Sequence, residues 1–200
     1  SYRIGVYEKA MPAELSWEEK FLACRESGFD FIEMSVDESD EKLARLDWSD
    51  EEIDAVLAAS RKTGIYCESI TFSAQRRYPL GTKKWEKEAM EIVRKCISLA
   101  KRMGIRIIMT QGYDVYYEEE SDESTKERFY EKMKEATCLA AANGVVLATE
   151  TMQDKEFMNT IEKVMYGVKR INSPYYQAYP DLGNIYNCTT EIAADIRSGR

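Results

Sequence analysis

Apolar positions along this chain recur in one form: a helical stripe, a glycine, then a run of β-branched and aromatic residues. "ESGFDFIEMS" (26–35), "KTGIYCESIT" (62–71), "RMGIRIIMTQ" (102–111) and "AANGVVLATE" (141–150) align on Gly28, Gly64, Gly104 and Gly144, which stand 36, 40 and 40 residues apart. A glycine just past a helix end supplies the left-handed backbone that ends the helix. Ser16-x-x-Glu19, Ser49-x-x-Glu52 and Ser124-x-x-Glu127 predict capping boxes opening three helices. Met90, Val93, Ile97 and Ala100 form an apolar stripe at helical spacing within 86–103. A first strand over 2–9, a sixth over 175–182 and a helix over 157–171 extend the pattern to both sides.

A fixed period of about forty residues that alternates helix with apolar strand predicts an α/β fold with a parallel sheet covered by helices. Right-handed crossovers leave two arrangements, an open doubly wound sheet or a (β/α) barrel. The regular repeat shows no reversal of strand order, and no G-x-G-x-x-G follows the first strand, so the barrel is expected. A complete (β/α)8 barrel typically takes ~250 residues. Residues 1–200 read as one barrel domain with about six βα units, incomplete at its C-terminus, with "IAADIRSGR" lying where a seventh strand should begin. The edges of strands 1 and 6 would then be open and adhesive, and a homodimer would cover them.

Composition narrows the chemistry. The net charge is -8 and the apolar fraction 44%, a balance that argues for a soluble protein and against a nucleic-acid partner. No secretory signal and no membrane-spanning run is visible, and five scattered cysteines without a C-x-x-C pair suggest reduced thiols, so a cytoplasmic location is expected. Histidine is absent. That removes Ser-His-Asp and Cys-His catalysis and leaves acid–base work to Glu, Asp, Lys, Tyr or Cys.

In a parallel barrel the chemistry sits at the C-terminal strand ends. There the sequence places Tyr7, Glu8 and Lys9; Glu33 and Ser35; Ser73, Gln75, Arg76 and Arg77; Gln111, Tyr113 and Asp114; Glu150; and Asp181. Glu150 closes the apolar run "GVVLATE", and Asp181 follows the neighbouring strand in "YPDLGN". Adjacent strands lie ~4.8 Å apart. Two acids that close need a proton or a cation between them, and oxygen ligands suit a divalent ion such as Mg or Mn. The other reading makes each acid a helix cap or half of a structural ion pair. Of the arginines in "SAQRRYPLG", one could hold a phosphate or sugar hydroxyl, and a solvated loop position is the stronger reading for at least one of them. Glu33 is either a substrate contact or a structural partner of Lys9 or Arg77. The aromatic half of "GYDVYYEEESDES" could line a sugar pocket.

Taken together, "GVYEKAMP", "GFDFIEMSVDESDEKLARLDW", "SAQRRYPLG", "GYDVYYEE" and "YPDLGN" resemble the L-ribulose-5-phosphate 3-epimerase / hexulose-6-phosphate isomerase family of xylose-isomerase-like TIM barrels, from residue 2 to about residue 185. The resemblance implies one divalent metal (Zn, Mn or Mg) held by Glu, Asp, His and Glu. The first two match Glu150 and Asp181, and the other two belong to later strands that this sequence lacks. It implies epimerisation at C3 of a ketopentose 5-phosphate through an enediolate, with Glu150 as one of two opposed bases. Tyr7, Glu33, Gln75, Arg77, Gln111 and Tyr113 would contact a small sugar phosphate. Gln75 departs from the histidine expected there. With half of the ligand set missing, the 200-residue chain is expected to be impaired. Two alternatives stand beside this one: a non-phosphorylated ketose epimerase or aldose–ketose isomerase, and a non-catalytic sugar-phosphate-binding module. The related metal-dependent DNA-repair nucleases need histidines and a basic face, which are absent.

Overall fold

The computed structural model describes residues 2–117, 119–153 and 156–199. Its strands are β1 (Gly5–Tyr7), β2 (Phe31–Ser35), β3 (Cys67–Thr71), β4 (Ile107–Thr110), β5 (Val146–Glu150) and β6 (Tyr176–Tyr179). The helices are α1 (Trp17–Glu26), α2 (Asp40–Leu43), α3 (Asp50–Thr63), α4 (Glu86–Met103), α5 (Glu123–Ala142), α6 (Ile161–Ile171), α7 (Leu182–Cys188) and α8 (Ile192–Ser198). Every strand pairing is parallel and the sheet order is β1-β2-β3-β4-β5-β6, the sequential order of a barrel wall.

The repeating glycines do what their positions predict. Gly28, Gly64, Gly104 and Gly144 all have φ between +69° and +81°, and Gly64 and Gly104 directly cap α3 and α4. Capping boxes form at Ser16/Glu19 and Ser49/Glu52 as expected. The third box is not Ser124/Glu127. α5 is capped two residues earlier, by Asp122, whose side chain accepts the Thr125 N–H while Thr125 Oγ1 accepts the Asp122 N–H. Asp122 wins because Ser124 already lies within the first turn and Glu127 is drawn away to Arg170.

Strand ends are shorter than the apolar runs suggest. β1 gives way to a 3-10 turn at Glu8–Ala10. β6 stops at Tyr179, because Pro180 has no N–H to continue the ladder and Asp181 begins α7. The helix expected over 157–171 starts only at Ile161, behind the Thr160 cap. "IAADIRSGR" does not begin a strand: Ile192–Ser198 is α8, whose buried Asp195 accepts the N–H groups of Ile161 and Glu162 at the start of α6.

Period-two alternation sorts the strands into two faces. Ile32, Met34, Ile70, Ile108 and Leu147 are buried outward against Phe21, Ile53, Val56, Val93, Ile97, Phe129 and Met133 of α1, α3, α4 and α5. Each such side chain contributes roughly 1.5–3 kcal/mol of burial. The opposite face carries Tyr7, Glu33, Thr71, Met109, Glu150 and Tyr179, which line a common cleft. One contact proves that the sheet is curled. The Tyr179 hydroxyl on β6 donates to Glu33 Oε2 on β2 at 2.7 Å. In a flat sheet, residues four strands apart would be separated by ~19 Å.

Candidate active site

The polar inner face opens at the C-terminal ends of the strands into a cleft of about 680 Å³. Glu150 and Asp181 stand on its wall as neighbours. Asp181 is fixed by its backbone surroundings. Its Oδ1 caps α7 by accepting the N–H groups of Gly183 and Asn184 at 2.8 and 3.0 Å, and its own N–H donates to Thr151 Oγ1 at 2.8 Å. The helix-cap reading of this acid is therefore correct, and it coexists with a place in the cleft.

Glu150 is poorly compensated by comparison. The amide of Gln111 donates to its Oε2 at 3.1 Å. Burial, followed by the charge of Asp181 and a hydrogen bond with it, raises the Glu150 pKa to about 7, against the opposing pull of Gln111 and Arg76. Two carboxyls pressed together in this way call for a shared proton or a cation. Their hard oxygen donors fit a divalent ion such as Mg, Mn or Zn. They provide two ligands: among the described residues no group of three or more acids or thiols converges to hold a metal.

Around this pair the inner face presents further polar groups. Glu33 Oε2 accepts from the hydroxyls of Ser69 and Tyr179, at 2.8 and 2.7 Å. Burial, then the charge of Glu33, raises the Tyr179 pKa and keeps that phenol a donor. The Tyr7 and Ser35 hydroxyls are hydrogen-bonded at 3.1 Å, and burial raises the Tyr7 pKa. Thr71 Oγ1 and Gln111 Oε1, both on residues lining the cleft, are buried without a hydrogen-bond partner among the described residues. Such groups cost stability unless a ligand satisfies them.

Several expected site residues lie elsewhere. Gln75 is buried and does not line the cleft; its Oε1 accepts the Gln111 N–H at 2.9 Å and so holds Gln111 from behind. Arg77 turns outward into an ion pair with Asp40 at 2.6 Å, while Arg76, its neighbour in sequence, lines the cleft. Tyr113 is outside the cleft, its ring centroid 4.8 Å from that of Tyr116. Glu33 has neither of the basic partners considered for it: Lys9 pairs with Asp37 at 2.6 Å and Arg77 with Asp40. Gly112 is required beneath the site, since a Cβ there would fall 2.5 Å from the Glu150 carbonyl oxygen.

Sequence reasoning did not select Tyr179, Thr71 or Met109. The alternation itself carried the signal, because Tyr179 pairs with Glu150 and Thr71 with Met109 in register. Glu8, the acid that follows β1, is structural. It is buried and bonded to Arg45, Lys20 and Lys42, with the Arg45 guanidinium 5.1 and 5.4 Å from the ring centroids of Trp17 and Trp48. A second cleft, about 610 Å³ between α4 and α5, holds solvated ion pairs such as Glu86–Lys132.

Comparison with known proteins agrees with the barrel fold. The model of the family described as "Xylose isomerase-like TIM barrel" matches residues 21–199. SgbU of Escherichia coli (strain K12), provisionally named an L-ribulose-5-phosphate 3-epimerase, is 43% identical over 201 residues, covering 100% of this chain and 70% of its own length. The L-ribulose-5-phosphate 3-epimerase UlaE of Salmonella heidelberg (strain SL476) is 42% identical over 198 residues, covering 98% of this chain and 69% of its own. Among solved structures, D-psicose 3-epimerase with D-tagatose from Clostridium cellulolyticum H10 superposes with a TM-score of 0.84 at 18% identity, over 99% of this chain and 70% of that one.

Proposed function

On the premise that the chain belongs to the xylose isomerase-like TIM barrel family, we propose that it is a metal-dependent sugar-phosphate epimerase that interconverts L-xylulose 5-phosphate and L-ribulose 5-phosphate through an enediolate. The observation that carries this reading is the Glu150–Asp181 pair, set in a cleft whose buried Thr71 Oγ1 and Gln111 Oε1 have no partner among the described residues. A cleft of about 680 Å³ has room for a pentose phosphate.

Glu150 and Asp181 would hold the divalent ion. When bound, such an ion would supply Lewis-acid stabilisation of the negative charge that develops on the sugar. The remaining work falls to the chain's side chains. Gln111 orients Glu150 through its amide, and Gln75 fixes Gln111 through the Gln111 N–H. The Glu150 carboxylate takes the C3 proton, and the electron pair left at C3 delocalises onto the C2 carbonyl oxygen to give the enediolate. Without a cation the Glu150 pKa stands at about 7; a bound cation would keep the carboxylate ionised and ready to accept that proton. Inversion requires the proton to return to the opposite face of C3 from a second acid. Asp181, locked by the α7 cap, keeps its place throughout. Thr71 and Gln111 offer acceptors to sugar hydroxyls.

The test is turnover of L-ribulose 5-phosphate with Mn²⁺ or Zn²⁺ supplied. The expected result is slow conversion to L-xylulose 5-phosphate that is abolished by chelation and by Glu150→Gln. Equal turnover by wild type and Glu150→Gln would refute the assignment.

A further inference from the structure

Glu150 and Asp181 belong to one wall of the cleft, built on the paired ends of β5 and β6. That wall is tied together internally. Glu150 and Tyr179 are register partners, and the Thr151 N–H donates to the Tyr179 carbonyl at 3.3 Å. The Asp181 N–H donates to Thr151 Oγ1 at 2.8 Å, and Asn184 Nδ2 to the Thr151 carbonyl at 2.9 Å. Tyr7 and Thr71 line the same cleft from another wall, at the ends of β1 and β3. A small sugar that touches both walls needs them at one separation.

Three side chains fix that separation. Glu33 Oε2 on β2 accepts the Tyr179 hydroxyl of β6 at 2.7 Å and the Ser69 hydroxyl of β3 at 2.8 Å. Among the described residues, no hydrogen bond or ion pair outside this trio joins residues 146–152 or 175–188 to residues 2–71. Packing does little to replace it. Beneath the trio lies a further cleft of about 450 Å³, whose lining includes Phe31, Tyr66, Ser69, Met103 and Ile107. Tyr179 lines this lower cleft and the carboxylate cleft above it, so its side chain is the partition between them. Bordered by cavity on two sides, the Tyr179 ring depends on its hydroxyl for its place. A hydroxyl donating to a carboxylate is one of the stronger hydrogen bonds available for this task.

We propose that Tyr179 and Glu33 are positioning residues that act as one latch across the barrel. The latch holds the Glu150–Asp181 wall at the distance from the Tyr7–Thr71 wall at which one sugar reaches both. This rests on the sugar-phosphate reading above. It gives Glu33 a role behind the substrate in place of the direct contact that sequence alone suggested. Because Thr151 already ties the acidic wall to itself, the latch acts on the sugar and leaves the cation pair alone.

Isothermal titration of the whole chain tests it, first with Mn²⁺ and then with L-ribulose 5-phosphate added to the Mn²⁺-loaded protein. Tyr179→Phe keeps the ring and removes the latch. Its Mn²⁺ affinity should stay within about twofold of wild type, while its affinity for the sugar phosphate should fall roughly tenfold. Glu33→Gln keeps an oxygen for both hydroxyls and should stay within a few-fold of wild type for both ligands. Glu33→Ala should match Tyr179→Phe, and it serves as the test if that variant does not fold. The double variant Tyr179→Phe/Glu33→Ala should bind the sugar phosphate no more weakly than either single one, since both remove the same bond. If Tyr179→Phe binds the sugar phosphate as wild type does, the latch is overturned while the sugar-phosphate reading stands. Mn²⁺ affinity that falls in step with sugar affinity also overturns it, as does a further loss in the double variant, which would place Glu33 on the sugar itself. If Mn²⁺-loaded wild type does not bind the sugar phosphate, both fall.

Discussion

Three buried or half-buried acids near the rim have opposite fates, and the difference lies in their immediate partners. Asp181 receives two backbone N–H groups, whereas Glu150 receives one neutral amide and faces a like charge, so its pKa rises to about 7. A cation entering between them must displace the proton from Glu150. Mn²⁺ affinity, followed by electron paramagnetic resonance, should therefore fall as pH is lowered from 8 to 6, and an affinity independent of pH would contradict the pairing. Glu8 goes the other way. Burial pushes its pKa up, but the hydrogen bonds and charge of Arg45, the Ser35 N–H and Lys20 outweigh it and hold the carboxyl down at about 2. Its folded pKa is depressed, so its contribution is complete above the ordinary carboxylate value and drains away as pH falls from about 4.5 to about 2. Glu8→Gln leaves Arg45, Lys20 and Lys42 without their shared counter-charge, at a cost on the order of 3 kcal/mol near neutral pH. In urea melts the gap between wild type and variant should narrow below pH 4. The sequence exposes Glu150 because an apolar run ends in an acid there. It does not distinguish Arg76 from Arg77, since both sit in or beside one 3-10 turn and only the positions of Asp40 and Tyr116 decide which of them turns inward.

At the level of elements, Asp181 is both the cap of α7 and half of the acidic pair, and two substitutions separate those roles. Asp181→Asn keeps an oxygen to accept the Gly183 and Asn184 N–H groups, while Asp181→Ala loses the cap at a cost of about 1 kcal/mol. Without metal, the asparagine variant should melt close to wild type and the alanine variant below it. Mn²⁺ should raise the melting temperature of wild type and of neither variant. A Mn²⁺-induced rise in Asp181→Asn equal to that of wild type would show that the carboxylate is not a ligand. The elements themselves were largely readable. Gly64 and Gly104 marked the ends of α3 and α4, and Ser16 and Ser49 the starts of α1 and α3, because caps are local chemistry. Short helices were less so. α7 is hidden in a stretch whose Tyr179-Pro180 looks like strand, and α8 in one whose position in the repeat called for another strand.

For the molecule as a whole, a local repeat was enough to indicate parallel strands in sequential order, but not which residues would meet across the interior. Glu33 and Tyr179 are 146 residues apart and touch only because the sheet curls. That closure brings the acids of β2 and β5 and the Asp181 cap around one cleft, beside the arginine of the turn after β3. Among the described residues no helix is long and apolar enough to cross a membrane. The central claim is that Glu150 removes the C3 proton of a ketopentose phosphate while it shares a cation with Asp181. The most direct measurement is exchange at C3. L-ribulose 5-phosphate is incubated in D₂O with the protein and Mg²⁺, and the C3 position is followed by proton NMR. Loss of the C3 proton signal to deuterium in wild type, absent in Glu150→Gln and after chelation, is the predicted result. Undiminished exchange in Glu150→Gln, or no exchange in metal-loaded wild type, would contradict it.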